Sequence, residues 1–462
     1  MQKAKTILFR ADSSSIIGTG HIMRDLVLAQ KYAQKGAKVI FATQELNGNI
    51  NYKIDDAGFE HVVVKNNSKK ELARLIHNLS VDLLVIDHYG IGYKKEKYIK
   101  EKTGVKILSF DDTYEKHYCD ILLNHNISAK KRKYKNLVPQ YCKVKCGKKY
   151  TLLRDEFYKE KQKKYKKSKK TTVLIAMGGA DTAELNLKIL KVLEGFSNLK
   201  VIVVTTTANK NLNRVQKFVK NKSDVELHIN SNKVAKLMAK SDFAIITPSV
   251  TVNEVIFMEL PFIAIQTASN QQEVSSYLLK NGYNVLKRFD RDKLEFFIDL
   301  YKQKIEFINF IHLSKKEKKI VFQMRNDIRI RKWMYNKEPL NYKKHLAYIK
   351  NLTKANDKVY FLLKQKNRYI GVVDLSAISH KDNSAELGIY ANPDLKGYGS
   401  LLMTIIIKYA FSVLHLNKLY ANVFKENQRA INLYQHFGFI EREVKQSNAT
   451  EVLKMELSYE NR

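Results

Sequence analysis

Cysteine is scarce, with three in 462 residues: Cys119, Cys142 and Cys146. Three thiols are too few for a disulfide framework, and Cys142-x-x-x-Cys146 lacks the second ligand pair of a structural zinc. The expectation is reduced thiols in a cytoplasmic protein with no metal site. Long apolar runs are missing too. None approaches the roughly 18 residues of a membrane-spanning helix, and the N-terminus carries nothing like a signal peptide. Acidic residues are few, 46 against 82 Lys and Arg, for a formal net charge of +36. Such a surplus suits a polyanion, but it is spread along the chain, chiefly as lysine. No helix-turn-helix, zinc-finger or RNA-binding signature accompanies it, which argues against nucleic acid as principal partner and leaves steering of small anionic substrates.

What is present suffices for several cores: 44% hydrophobic residues, 26 tyrosines, and a length that argues for about three domains. The first two-thirds is organised around Arg10 to Arg24, RADSSSIIGTGHIMR. An apolar strand (Thr6 to Phe9) leads into it. Gly18 and Gly20 stand just ahead of His21, and Ile22, Leu26, Ala29 and Ala33 then mark one face of a helix that Gly36 stops. A strand, a flexible turn and a helix start present backbone N–H groups at the positive end of a helix, where a phosphate or a developing negative charge is stabilised. A neutral imidazole at that spot can serve as a base. It can equally be a hydrogen-bonded loop residue.

Further strands are expected at Lys38 to Thr43, His61 to Val64, Leu83 to Ile86 and Val105 to Phe110. The third of these ends in Asp87-His88-Tyr89-Gly90, polar groups at a carboxyl end where open parallel sheets place ligands. Asp111 and Asp112 follow the fourth. Neighbouring side chains on an extended segment diverge, so they are not expected to act as a pair, and one of them should cap a turn. The lysine-dense stretch from Lys159 to Lys170 reads as a solvated linker.

After it the pattern restarts, with a strand at Thr172 to Ala176, then Gly178-Gly179, a helix from Leu185 to Leu193, and strands at Val201 to Val204 and Ala244 to Ile246. The glycine pair ahead of a helix suggests a second anion site. Thr251 is expected to cap a helix whose first turn carries Asn253 and Glu254, and Asn270-Gln271-Gln272 forms a later amide-rich loop.

Beyond about Asp290 a helix-rich bridge leads to an antiparallel series: Tyr360 to Leu363, Tyr369 to Val373, and Ser384 to Tyr390. Asn392 to Leu402, with Lys396-Gly397-Tyr398-Gly399-Ser400, then opens a long amphipathic helix. A strand at Leu419 to Val423 precedes Asn427, Ala430, Leu433-Tyr434 and Phe437-Gly438-Phe439.

Two resemblances follow from these motifs. Arg10-Ala11-Asp12 with Ile17-Gly18-x-Gly20-His21-x-x-Arg24 resembles the opening signature of the nucleotide-sugar hydrolases of pseudaminic acid biosynthesis. The Gly397/Gly399 loop with N…A…LYxxxGF resembles the acetyl-CoA loop and C-terminal block of GNAT N-acetyltransferases, notably the aminosugar N-acetyltransferase that works just before that hydrolase. The resemblance implies an α/β chain: two Rossmann-like lobes of a GT-B fold (1–158 and 171–300) and a GNAT domain (305–462). It implies that acetyl-CoA acetylates a UDP-4-amino sugar and that the resulting UDP-2,4-diacetamido-2,4,6-trideoxy-β-L-altropyranose is hydrolysed, with UDP-sugar and acetyl-CoA as the small-molecule partners.

In that reading His21 activates water, with Asp87 and Tyr89 positioning it. Arg10, Asp12, Gly18, Gly20, Arg24, Gly178, Gly179, Glu254, Asn270 and Gln271 bind substrate. The 396–400 loop and Asn427 hold acetyl-CoA, although Asp394 stands where the GNAT pattern has Gln or Arg. Tyr434 protonates the departing thiolate. The base that frees the amine is left open between Glu386 and a water relay. The alternatives are a GT-B glycosyltransferase fused to an acetyltransferase, or one half serving as a binding module.

Overall fold

The computed structural model describes residues 4–14, 16–166, 168–447 and 450–461. Ser15 and Lys167, in the opening stretch and the lysine linker, fall outside them. The chain divides into two compact units, 1–188 with 198–277, and 189–197 with 278–462.

The first unit holds two parallel sheets. One has the order β3-β2-β1-β4-β5-β6-β7, from β1 (Thr6–Ala11), β2 (Lys38–Thr43), β3 (Glu60–Val63), β4 (Leu83–Asp87), β5 (Lys106–Phe110), β6 (Ile121–Asn124) and β7 (Lys143–Cys146). β1 is buried from Ile7 to Ala11. That near-continuous burial is what a parallel sheet covered on both faces demands. The strand order reverses between β1 and β4, which pair Ala11 with Asp87 at their carboxyl ends. The crevice at such a reversal is where open α/β sheets bind ligands.

The second sheet repeats the plan, with β10-β9-β8-β11-β12 in order. Its strands are β8 (Thr171–Ala176), β9 (Leu199–Thr205), β10 (Val225–Ile229), β11 (Phe243–Ile246) and β12 (Phe262–Ile265). The reversal falls between β8 and β11, so Gly178-Gly179 and Thr247 to Glu254 follow the two strands that flank it. The expected linker is partly structured: helix Asp155–Lys161 runs into it, with Phe157 buried. Tyr158 meets Phe257 edge-on at 4.8 Å between ring centroids, so this part of the lysine run is packed.

In the second unit a short strand β13 (Asn284–Leu286) precedes a sheet of seven strands in the order β14-β15-β16-β17-β18-β20-β19. Its members are β14 (Ile305–Asn309), β15 (Val359–Gln365), β16 (Arg368–Ser379), β17 (Ser384–Ala391), β18 (Lys418–Phe424), β19 (Ile440–Ser447) and β20 (Thr450–Ser458). β14 lies in the stretch expected to be a helix-rich bridge and pairs antiparallel with β15. β17 and β18 are parallel, and their pairing stops early: Ser384–Lys418, Ala385–Leu419 and Glu386–Tyr420 only. Beyond Glu386 the two strands part. Helix Gly399–Lys408 buries Leu402, Met403, Ile405, Ile406 and Ile407, packing against Leu375, Leu387 and Leu419 in one core. Among the described residues, no helix is long and apolar enough to cross a membrane.

Candidate active sites

His21 is the second residue of helix Gly20–Ala33, which follows β1 through the loop of residues 12–19 and brings the imidazole to the β1/β4 crevice. Its Nδ1 lies 2.7 Å from Asp87 Oδ1. Burial opposes the charged form of Asp87, but Arg24's charge and hydrogen bonds and the His21 contact outweigh it and hold this carboxyl well below the usual range. An ionised Asp87 fixes the proton of His21 on Nδ1 and leaves Nε2 as the basic nitrogen. Arg24, one helical turn on, grips the same carboxylate twice, Nε to Oδ2 and Nη2 to Oδ1, both at 2.5 Å. Its Nη1 reaches Asp112 Oδ2 at 3.4 Å and His125 Nε2 at 3.2 Å. Tyr89 donates its hydroxyl to Asp112 at 3.0 Å, and its ring stands edge-on to His21 with centroids 5.1 Å apart. Burial and the Asp112 charge push the Tyr89 phenol up to about 12, so it remains a donor at neutral pH.

Arg10 and Asp12 sit deeper, 1% and 2% exposed. Arg10 Nη1 and Nη2 donate to Asp12 at 2.6 and 2.8 Å, and Nη2 also donates to Asn67 Oδ1 at 2.6 Å. Asp12 also holds His88 Nε2 at 3.0 Å, while Gly90 N donates to His88 Nδ1. Their polar atoms are spent on one another, so they brace the crevice wall. Gly18 carries a positive φ of 84° with open space where a side chain would stand. Ser14 and Gly18 close the loop with two backbone hydrogen bonds.

In the second sheet Gly178 and Gly179 lie exposed after β8, Gly178 at φ +82°. Asp181 accepts from Leu185 N and Asn186 N, at 2.9 Å each, and so caps the next helix. Thr251 does not cap its helix: Thr251–Phe257 has Val250 at the cap position and no side-chain cap bond. Glu254 faces Arg154 at 3.4 Å, and burial, opposed by that arginine, raises its carboxyl above the usual value. Gln271 spends its amide on Thr267, accepting from the Thr267 backbone N at 2.8 Å. Asn270 is exposed.

In the second unit the 396–400 loop follows β17 and leads into helix Gly399–Lys408. Gly397 has φ +84° and Gly399 begins the helix, so backbone N–H groups face outward at a helix start. Lys396 and Ser400 are exposed, and Tyr398 packs into the core. Asp394 pairs with Arg329 at 2.7 Å, and Arg329 also donates to Pro393 O. Arg329 also grips Asp327 at 2.7 Å, so its charge is shared between two acids and it ties the start of the loop to the Asp327 turn. Asn427 caps helix Gln428–His436 by accepting from Ala430 N. Tyr434 is buried, and its phenol is pushed up by burial and by the charges of Asp374 and Glu386.

Over 280 residues the chain is 44% identical to the UDP-2,4-diacetamido-2,4,6-trideoxy-beta-L-altropyranose hydrolase of Campylobacter jejuni, covering 60% of this chain and 98% of that protein. The chain belongs to this hydrolase family. Residues 308–440 match the acetyltransferase (GNAT) domain family. Over 135 residues the chain is 43% identical to the acetyltransferase PseH of Campylobacter jejuni, covering 29% of this chain and 84% of PseH, which places the second unit among the GNAT acetyltransferases. The crystal structure of Campylobacter jejuni PseH in complex with acetyl coenzyme A is 35% identical and covers 34% of this chain and 99% of that chain, with a TM-score of 0.28.

In the hydrolase part the sequence reading missed Asp112 and His125, whose only signal was their place at the carboxyl ends of β5 and β6. In the acetyltransferase part it missed Arg329 and Asp374, which nothing in their local sequence marks. Among the described residues, no group of three or more His, Cys, Asp or Glu is placed to hold a metal ion.

Proposed function

We propose that the chain is a bifunctional nucleotide-sugar enzyme that uses acetyl-CoA to N-acetylate a UDP-4-amino sugar and then hydrolyses the resulting UDP-2,4-diacetamido-2,4,6-trideoxy-β-L-altropyranose. The domains are 1–158 and 171–300, the two lobes of a GT-B hydrolase, and 305–462, the acetyltransferase. The observation that carries the hydrolase reading is the His21–Asp87 dyad at the β1/β4 crevice. His21 Nε2 takes a proton from water as the water oxygen attacks C1, and UDP departs with the C1–O electron pair. Tyr89 and Arg24 fix the imidazole and the sugar, and Gly18 and Gly20 leave room for a ligand at the helix start. Gly178, Gly179, Glu254 and Asn270 hold the leaving UDP, with Gln271 fixing their loop through Thr267, while Arg10 and Asp12 brace the crevice from behind. No metal is needed, because backbone dipoles at helix starts stabilise the leaving phosphate.

In the acetyltransferase, Lys396 to Ser400 hold the CoA pyrophosphate through backbone amides, with Asn427 at the next helix start. Tyr434 gives its proton to the departing thiolate. The test is incubation of the purified protein with UDP-4-amino-4,6-dideoxy-N-acetyl-β-L-altrosamine, followed by mass spectrometry and phosphorus NMR. Free UDP and the diacetamido sugar, formed only when acetyl-CoA is present, are the expected products. Acetylation without UDP release would remove the hydrolase half of the reading.

A further inference from the structure

Asp374 occupies an unusual place on the acetyltransferase sheet. It stands on β16 opposite Tyr360 of β15 and Gly388 of β17. A side-chain carbon added at Gly388 would lie 2.4 Å from Asp374 Oδ2, so the carboxylate fills the space that a side chain there would take. Two residues along β17 is Glu386, the last residue before the strands part. Because side chains two apart on a strand share a face, Asp374 and Glu386 look out on the same side of the sheet, at the root of the fork.

The Glu386 charge raises the proton affinity of Asp374, yet among the described residues neither carboxylate forms an ion pair with a lysine, arginine or histidine. The titratable groups around Asp374 are the phenols of Tyr360, Tyr390 and Tyr434 and the carboxylate of Glu386. The cation that reaches this group is Arg325, whose charge acts on the Tyr390 and Tyr360 phenols and pairs with neither carboxylate. Burying negative charge without a counter-charge is costly, and a site that does so is matched to a cation that arrives with a ligand. Burial, reinforced by the Glu386 charge and opposed by a hydrogen bond from Tyr360, brings the Asp374 carboxyl up to about 7, where a base must lie to work at neutral pH.

We propose that Asp374 is the general base of the acetyl transfer, receiving the ammonium of the aminosugar between itself and Glu386 and taking its proton. This rests on the acetyltransferase reading above. Asp374 accepts one proton from R–NH3+ and passes it to solvent. The freed amine lone pair forms the N–C bond to the thioester carbonyl, the C–S bond breaks, and the thiolate takes the Tyr434 proton. The second proton of the nitrogen returns to the Tyr434 phenolate, leaving amide and CoA-SH.

The experiment follows CoA release by the full-length protein between pH 5.5 and 9, for wild type, Asp374→Asn and Glu386→Gln. Asp374→Asn should lower kcat/KM for the amine about 10²–10⁴-fold and abolish the acid limb of the profile. Its acetyl-CoA affinity and UDP-sugar hydrolysis should remain at wild-type level, which shows that the variant is folded. Glu386→Gln should keep the limb but move it to lower pH. An Asp374→Asn protein with the wild-type rate and limb overturns the proposal. If wild type binds acetyl-CoA but leaves the UDP-aminosugar unchanged, the acceptor reading fails instead. The same variants compared on the free amino sugar then decide Asp374 by the presence or absence of the limb.

Discussion

Arg24 and Asp87 are joined by two parallel hydrogen bonds of 2.5 Å, and the carboxylate so held is the one that orients His21. Asp25, the next residue on the helix, is fully buried, and burial together with the Asp87 charge raises its carboxyl well above the usual range. A single guanidinium thus compensates a crowded acidic site. Removing it with Arg24→Ala leaves Asp87 buried and uncompensated, which should cost about 3–5 kcal/mol of stability in denaturant unfolding and abolish hydrolysis. Arg24→Lys should restore little of either, because an ammonium cannot reproduce the two-pronged grip. Wild-type hydrolysis by Arg24→Lys would show that only the charge matters.

Replacing His21 by Asn should reduce UDP-sugar hydrolysis about 10²–10⁴-fold and leave acetyl transfer intact. The two products are separated by mass spectrometry in one reaction, so the acetylated UDP-sugar should accumulate. Full hydrolase activity in this variant would remove His21 from the mechanism.

His125 gives a pH dependence with a definite sign. Burial and the Arg24 charge lower its pKa to about 3, so the folded protein holds it neutral. The unfolded chain takes up a proton near the ordinary value of about 6.5. Between those values the unfolded state binds more protons, and stability therefore rises with pH and is lost as pH falls below about 6.5. The loss between pH 7 and pH 5 should be about 2 kcal/mol from this residue alone. His125→Gln should flatten that part of a stability-versus-pH curve measured by chemical denaturation, and an unchanged slope would count against a neutral buried His125.

Gly397→Ala tests the acetyl-CoA loop. With φ at +84° and open space around the missing side chain, the penalty is backbone strain rather than collision, about 1–2 kcal/mol. The variant should raise the KM for acetyl-CoA with the hydrolase unaffected, and an unchanged KM would mean that the loop does not touch the cofactor.

Much of this was legible in the residues. The Gly18-x-Gly20-His21 turn and the Asp87 to Gly90 segment announced themselves because each ends a strand in polar or flexible residues, and the fold brings both to one crevice. The reading of Asp111 and Asp112 also holds: Asp111 accepts from Thr113 and Tyr114 within its own turn, while Asp112 turns away to Arg24 and Tyr89. What escaped depends on sequence distance. Arg329 meets Asp394 across 65 positions, and Asp374 gains its surroundings from two neighbouring strands. Thr251 was misjudged as a cap because the chain enters that helix one residue early, with Val250 already in helical conformation. β14 was missed because its five residues gain their meaning only by pairing with β15.

The parting of β17 and β18 leaves the seven-stranded sheet divided down its middle, with backbone donors and acceptors past Glu386 and Tyr420 turned toward a gap. A sheet interrupted in this way is completed by whatever lies in the gap. If an extended, amide-bearing cofactor arm takes that place, it acts as a short guest strand, and filling the gap becomes part of folding. Saturating acetyl-CoA would then stiffen both strands together and slow their amide hydrogen exchange, while the far edge at β14 would exchange as before.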